Sequence, residues 1–491
     1  MKIHAMNTNL KIIQPTFDAI DELNSITDCT ISSLNCIPQK NTLQKGNREL
    51  ILSFKDVYNP DIDRAMRIFD LGDLSVATNK RNYCIPSKSA FLSGSTGNLL
   101  SMSPDTFHLH IYHISSFSKT HSSSFIRMVL PISNDNWIGE LASEKFSVGN
   151  QSTVGLLNLD FPLGQVHAYS WLQSGQKYLI IEPQYRLSVE EILSIQYAVS
   201  LGLGLLSGTA YLDECYIVSS KSIDFQTIED IEYRRLRESI VSSYRLFTTN
   251  MYSIYQALQK GKNNKYAATQ IETTDGVLNP NFVDHLYPLF YNRLFTTIYQ
   301  DEYLSRAAEI MLDASERSLG YQVSLYSIAL ETITTRLKSI YSVKYPGIID
   351  KSTWKKLHSS LIKAFESIST ELLFNKGIHD RYLRALDNMN NISNQEKFNL
   401  VMDAVGYARS STDDDAITQR NMSLHGNLAK KTSPTSSVAD DQFFYSTVLC
   451  RLCYSLLFKF CGFDSYIINL PVLFDLEPAC SQKEEVLLRI P

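Results

Sequence analysis

The sequence predicts an α+β protein: a strand-rich N-terminal domain over residues 1–225, followed by an all-α bundle over residues 283–491. Three observations predict it. Up to about residue 220 the chain runs in short segments of alternating apolar and polar residues, the rhythm of half-buried strands. From Thr227 onward apolar residues recur every three or four positions, the rhythm of helices. Between the halves, Lys260 to Asn279 is polar and rich in Gly, Lys and Asn, as a domain boundary should be. Residues 226–282 are therefore read as a connecting helical segment and linker. At 491 residues the chain is too long for one core, and two or three domains are expected.

In the first half the clearest strands are Leu50 to Phe54, Phe107 to Ile114, Phe125 to Ile132, Gln165 to Leu172 and Lys177 to Ile181. The clusters SGSTGNLLSMSP and PISNDNW between them read as loops. A sandwich or distorted barrel fits this spacing. One helix should close the domain: Ser188 and Glu191 have capping-box spacing before EEILSIQYAVSLGL, with Gly202 and Gly204 weakening its end. YLDECYIV then returns to strand character.

Thr227 and Asp230 open TIEDIEYRRLRESIVSSYRLFTTNMYSIYQAL, which reads as a long helix broken near Thr248. Helices follow over Phe282 to Ser318, Tyr321 to Ser342 and Ser352 to Phe374. A fourth begins at Ser393, and two more surround the motif described below. No internal repeat is visible.

Apolar residues make 44% of the chain and charged residues 20%, a composition that folds. The formal net charge of −5 argues against a general DNA-coating protein, so any nucleic-acid contact must use a local basic patch. No apolar stretch reaches the roughly 20 residues that cross a bilayer, and MKIHAMNTNLK lacks the apolar core of a signal peptide. Cys450, Cys453 and Cys461 lie in the apolar run RLCYSLLFKFCGF and read as reduced core residues rather than a metal site. The chain reads as cytoplasmic.

The motif is Arg420-Asn421-Met422-Ser423-Leu424-His425, followed by Gly426. Asp413, Asp414 and Asp415 precede it, which suits a helix N-terminus. Asn421 and His425 are four residues apart and share a face. Arg420 and His425 are about 140° apart on an ideal helix, so one phosphate meets both only if the arginine curls back, the helix loosens, or a symmetric partner supplies a group. A histidine there can take a proton from an RNA 2′-hydroxyl or return one to the leaving oxygen. An arginine can hold a phosphate oxygen and offset charge in the transition state. Asn421 can orient either, and Lys430 and Lys431 add positive charge. The bland alternative is a helix with Arg420 and Asn421 facing solvent and Gly426 ending it.

R-N-x-x-x-H-G after a helical segment resembles the R-x4-6-H motif of the HEPN superfamily. With the upstream segment SLYSIALETITTRL, it is similar to the ApeA-like HEPN group. The resemblance covers about residues 283 to 470 and extends weakly, in outline, to the N-terminal half. It implies a four- to five-helix bundle and a metal-independent ribonuclease with no cofactor, whose two copies pair so that their motifs line one cleft. It gives Arg420 and His425 catalytic roles, Asn421 a supporting one and Glu331 an orienting one. It implies an antiviral effector that cuts cellular RNA or tRNA, controlled by its N-terminal domain through an infection signal such as a phage-derived protein, with no membrane partner. Two rivals remain: a non-catalytic HEPN interaction module, and a toxin held by a separate antitoxin. One departure is KKTSPTSSVADD, which puts a loop where some relatives continue the helix.

Other residues invite attention. His108, His110 and His113 lie in FHLHIYHI with His121 nearby, and exposed strand positions or a binding surface explain them better than a metal site. His358 and His379 read as helix-surface residues. The YRRLR cluster, Tyr233 to Arg237, sits among acids and reads as a solvated face. No Walker loop, G-x-G-x-x-G, G-x-S-x-G or H-E-x-x-H is present, so ATPase, dinucleotide, esterase and zincin chemistry has no motif.

Overall fold

The computed structural model describes residues 12–27, 29–31, 41–56, 73–96, 105–117, 123–132, 144–148, 151–242, 244, 246–247, 288–424 and 431–490. The chain divides into two compact units: Met1–Ser253 with Leu278–Glu316, and Ile254–Val277 with Arg317–Pro491.

The first unit is built on antiparallel strands. One sheet has the order Ser25–Thr27, Thr42–Lys45, Leu50–Asp56, Asp105–Ile111, Ala90–Thr96. A longer sheet runs from Glu144–Val148 through the hairpins Gln151–Phe161, Gly164–Gln173 and Gln176–Pro183. It continues through Ser124–Ile132 and Glu214–Ser220 to Ile231–Arg235 and the short strands beyond. One apolar core takes side chains from both sheets, among them Leu43, Leu52, Tyr83 and Val129, and from helix α1, Gln14–Asn24. The fully buried Arg127 and Glu182 pair at 3.0 Å. Arg127 also donates to the Ile12 carbonyl and to Thr16 Oγ1, which ties the start of α1 to the sheet.

Four of the five expected strands lie where the alternation put them. The fifth, Phe107 to Ile114, breaks at Tyr112. Asp105–Ile111 belongs to the first sheet and His113–Ser115 to the second. The expected loop SGSTGNLLSMSP begins as strand. Ala90–Thr96 continues to Thr96 through a register shift between Leu92 and Ser95, the kind of bulge that Gly94 permits. PISNDNW likewise starts in strand, at Pro131 and Ile132. The remainder of both loops lies outside the described residues.

Helix α2, Val189–Ser207, has the expected capping box: Ser188 Oγ accepts the Glu191 N–H, and the Glu191 carboxylate accepts the Ser188 N–H. Gly202 and Gly204 do not end it. A Cβ at 202 would stand 2.5 Å from the Phe295 ring and one at 204 would stand 2.7 Å from Leu312 Cδ1. The two glycines let α2 touch helices α3, Pro288–Gln300, and α4, Glu302–Ala314. The expected single helix over 282–318 is thus two. It breaks at Asp301, whose carboxylate accepts the N–H groups of Tyr303 and Leu304. Because α3 and α4 pack with the strand-rich unit, they belong to it and not to the helical unit, whose described residues begin at Arg317.

The largest correction falls on the expected helix from Thr227. Ile231–Arg235 is a strand, and Ile240–Val241 is a two-residue one. Asp230 does not cap a helix; its carboxylate accepts from Ser116 Oγ and Ser219 Oγ. Ile231 and Tyr233 go to the core while Glu232 pairs with Arg234 at 2.6 Å. The expected later part of that helix and the 260–279 connection lie outside the described residues.

The second unit is mainly helical: α5, Leu319–Ile340; α6, Lys351–Glu371; α7, Lys376–Asn388; α8, Asn394–Val405; α9, Ser411–Leu424; and α10, Val438–Phe460. Helices α5, α8, α9 and α10 pack together around Tyr326, Leu330, Ile333, Met402, Ile417 and Val448. The expected starts hold. Asp350 caps α6, and Ser393 with Glu396 forms a capping box on α8. Helices α6 and α7 stand apart as a hairpin: α6 buries Ser369 alone and α7 buries nothing. At its root the Ile348 N–H donates to the Asn390 carbonyl at 2.9 Å, and Gly347 pairs with Asn391. The unit is not purely α, since strands Ser465–Ile468 and Leu487–Ile490 form a hairpin around two short helices, Leu470–Leu473 and Glu477–Ser481.

Among the described residues two helices, α2 and α10, are long and apolar enough to cross a membrane, contrary to the reading that no stretch is. Both are mostly buried inside the protein, so their apolar character serves the cores.

Candidate functional site on the motif helix

Helix α9 is fixed first at its N-terminus. Ser410 and Asp413 exchange bonds: the Ser410 N–H donates to Asp413 Oδ2 at 2.9 Å, and the Asp413 N–H donates to Ser410 Oγ at 3.3 Å. Asp413 is nonetheless buried, because Arg451 of α10 meets it at 2.5 Å. Arg451 also reaches Glu484 at 2.6 Å, Asn469 at 2.7 Å and Thr412 Oγ1 at 3.0 Å. Thr412 in turn bonds Glu484, and Ser411 bonds Gln482. Burial alone would lower the Arg451 pKa, but Asp413, Tyr407 and Glu484 hold it above its ordinary value. Burial would raise the Glu484 carboxyl; Arg451 keeps it low. The expected acid-rich helix start is therefore present, with Asp413 acting as a buried anchor as well as a cap.

Two turns further on, α9 buries Ala416, Ile417 and then Arg420, which is 3% exposed. Arg420 Nη2 donates to Glu331 Oε2 at 2.8 Å across a sequence separation of 89 residues. Its guanidinium carbon lies 4.2 Å from the centroid of the Phe398 ring on α8. Nε and Nη1 are buried without a hydrogen-bond partner among the described residues. Burial lowers the Arg420 pKa, opposed by the charge and hydrogen bond of Glu331. The solvent-facing arginine of the bland alternative is thus ruled out. Three helices converge on one cation that retains two unspent donor groups.

Asn421 lies on the backbone of α9, while His425 and Lys430 lie outside the described residues. Lys431 is exposed just before α10. In the loop after the motif, Thr432 donates through both its N–H and its hydroxyl to Asp441 Oδ1 at 2.7 Å, and Ser437 with Asp440 caps α10.

The other residues singled out in the sequence have local partners. His108 bonds Ser53, His110 lies 2.8 Å from Glu49, and His113 lies 3.1 Å from Glu232. His121 lies outside the described residues. His358 pairs with Asp387 at 2.9 Å, within the α6–α7 hairpin. In YRRLR, Arg237 meets Glu309 at 2.7 Å and Tyr233 is core, so only part of the cluster is a solvated face. Cys450, Cys453 and Cys461 are buried free thiols. Burial pushes Cys450 up to about 12, so its thiol form persists at neutral pH.

Two residues of this region carry no signal in the motif itself. Arg451 sits inside an apolar run, where a charge must find buried partners. Phe398 reads only as a core position of α8. No family model, curated protein or solved structure matches the chain.

Proposed function

We propose that this protein is a metal-independent endoribonuclease of the HEPN type, acting in the cytoplasm as an antiviral effector that stops growth by cutting cellular RNA or tRNA. The observation that carries the reading is the Arg420–Glu331 pair: two residues matched to the family's motif from different helices meet at 2.8 Å. In the proposed reaction the RNA's 2′-oxygen attacks the adjacent phosphorus and the bond from phosphorus to the 5′-oxygen breaks. A general base removes the 2′-proton and a general acid protonates the 5′-oxygen; His425 serves in this exchange. Arg420 offsets the charge on the non-bridging oxygens, with Glu331 setting its orientation. Two copies pair through the helical unit, and the strand-rich unit controls the enzyme in response to a phage-derived signal.

The test is cleavage by the full chain in EDTA. The expected products carry 2′,3′-cyclic phosphate ends, and RNA with a 2′-deoxy sugar at the cut should resist. Loss of activity on chelation with rescue by added metal rules the mechanism out. Light scattering of the full chain should report a dimer at micromolar concentration.

A second reading has one observation in its favour. Arg420 is buried and already ion-paired, as a cross-brace of a non-catalytic HEPN interaction module would be. Stable, well-folded protein that never cuts RNA, with or without phage present, decides for that reading.

A further inference from the structure

The α6–α7 hairpin has little to do with the core of its unit. Its internal seam is a small ring cluster: Phe365 lies 5.3 Å from His379 and 5.7 Å from Tyr382, and Phe374 lies 5.9 Å from Tyr382. Its surface carries both signs with a positive excess. Residues 351–388 hold seven Lys and Arg against four Asp and Glu, a net +3 in a chain of −5, which leaves −8 for all the rest. Two of the four acids, Asp380 and Asp387, are engaged with His379 and His358. The seven cations are all exposed, and none enters an ion pair among the described residues. A solvated helix face normally pairs its opposite charges along the helix; here Lys363 and Glu366, three residues apart, form no ion pair among the described residues.

The positive surface continues past the root of the hairpin. Tyr345 is flanked by Lys338 Nζ at 4.0 Å and Lys397 Nζ at 5.9 Å from its ring centroid. Lys397 immediately precedes Phe398, the ring beneath Arg420. Lys338 follows Glu331 by seven residues on α5, about 10 Å at 1.5 Å per residue. The cations therefore lead from the hairpin, past Tyr345, to the two helices that hold Arg420.

We infer that the α6–α7 hairpin and the Lys338–Tyr345–Lys397 cluster bind the sugar–phosphate backbone of single-stranded RNA. The occupant follows from charge complementarity: a polyanion matches a cluster of exposed cations that have no ion-pair partner among the described residues, on an otherwise acidic chain. Tyr382, half exposed between Arg381 and Arg384 in sequence, offers a ring for base stacking. The inference deepens the ribonuclease reading and rests on it for the choice of RNA.

The experiment uses the full chain carrying His425→Ala, so that RNA stays intact, and a fluorescent oligouridine of about 20 nucleotides, titrated across salt concentrations. One variant adds Lys351→Gln, Lys355→Gln and Lys363→Gln. A control adds Lys80→Gln, Lys88→Gln and Lys221→Gln, the same charge removed from the strand-rich unit. The slope of log affinity against log salt should fall by about 2 for the hairpin variant, from roughly 0.7 per phosphate contact on single strands. It should not move for the control. No binding by the parent chain, or an equal slope in the hairpin variant, overturns the inference. So does displacement of the RNA by polyglutamate as effectively as by unlabelled oligouridine, which would mark an acidic-protein site. A chain with His425 intact separates the two claims: hairpin-dependent RNA binding without cleavage leaves this surface and sinks the nuclease, and cleavage with hairpin-independent affinity does the reverse.

Discussion

Arg451 and Arg420 hold opposite ends of the same helix, both almost fully buried, and they are used differently. Arg451 spreads its two terminal nitrogens over Asp413, Glu484, Asn469, Thr412 and Ser410 and leaves Nε alone idle. Among the described residues Arg420 makes one hydrogen bond, to a carboxylate that is 56% exposed, and leaves Nε and Nη1 idle. Burying a cation costs the same solvation at either site. At the first end nearly every donor offsets that cost with protein acceptors. At the second end two donors find no acceptor among the described residues, so much of that cost stands uncompensated there. The contrast separates an arginine whose donors the protein satisfies from one that keeps two donors to spare among the described residues.

The largest effect should come from breaking the saturated end. Arg451→Met strands Asp413 and Glu484 without their cation and should destabilise the chain by about 3–5 kcal/mol, read as a lower denaturation midpoint. A neutral outcome would mean that the network does not anchor α9. Next in size is the working end. His425→Ala should lower cleavage by roughly 10²-fold or more, and Arg420→Lys should also fail substantially because the planar fork is lost. Both should remain folded by circular dichroism. Full activity of Arg420→Lys would erase the difference between the two arginines.

Acid should find the saturated end as well. Glu484 is held below its ordinary value, so its stabilisation is present above the unfolded carboxylate pKa of about 4.3 and is lost as pH falls through the lower folded one. Glu484→Gln should therefore cost stability at pH 7, on the order of 1.5–3 kcal/mol for a charged hydrogen bond. The gap from wild type should close in acid; a constant gap would deny the ionic role. The smallest effect belongs to Glu331→Gln. Its carboxylate is exposed enough for solvent to screen it, so stability should change by less than about 1 kcal/mol. Cleavage should drop only a few-fold if the glutamate merely orients Arg420. A loss as large as that of His425→Ala would give Glu331 a direct part in the chemistry.

Much of this was written locally in the sequence. Helices α2, α6 and α8 start where Ser188, Asp350 and Ser393 cap them, because a cap is a contact between near neighbours. The Thr227–Asp230 pair has the same spacing and misleads, since the partners of Asp230 are Ser116 and Ser219, brought in by the sheet. Gly202 and Gly204 read as weaknesses until Phe295 and Leu312 show why no side chain fits. In the site, Arg420 and Glu331 were singled out by resemblance to a family motif, and their side chains meet at 2.8 Å. Arg451 was not, because its meaning lies in Glu484 and Asn469, on a C-terminal segment whose hairpin has no loud alternation of its own.

The root of the α6–α7 hairpin has a consequence for how such a chain can vary. The Ile349 N–H and carbonyl are both met by the Asn390 side chain, so the chain leaves the core and re-enters it at adjacent points. The intervening residues form a cassette whose ends are already joined. Its length and charge can drift, or the whole of it can be exchanged for a short turn, without rethreading α5, α8, α9 or α10. If the proposed RNA surface and nuclease site hold, substrate preference and catalytic geometry are placed under separate selection within one unit.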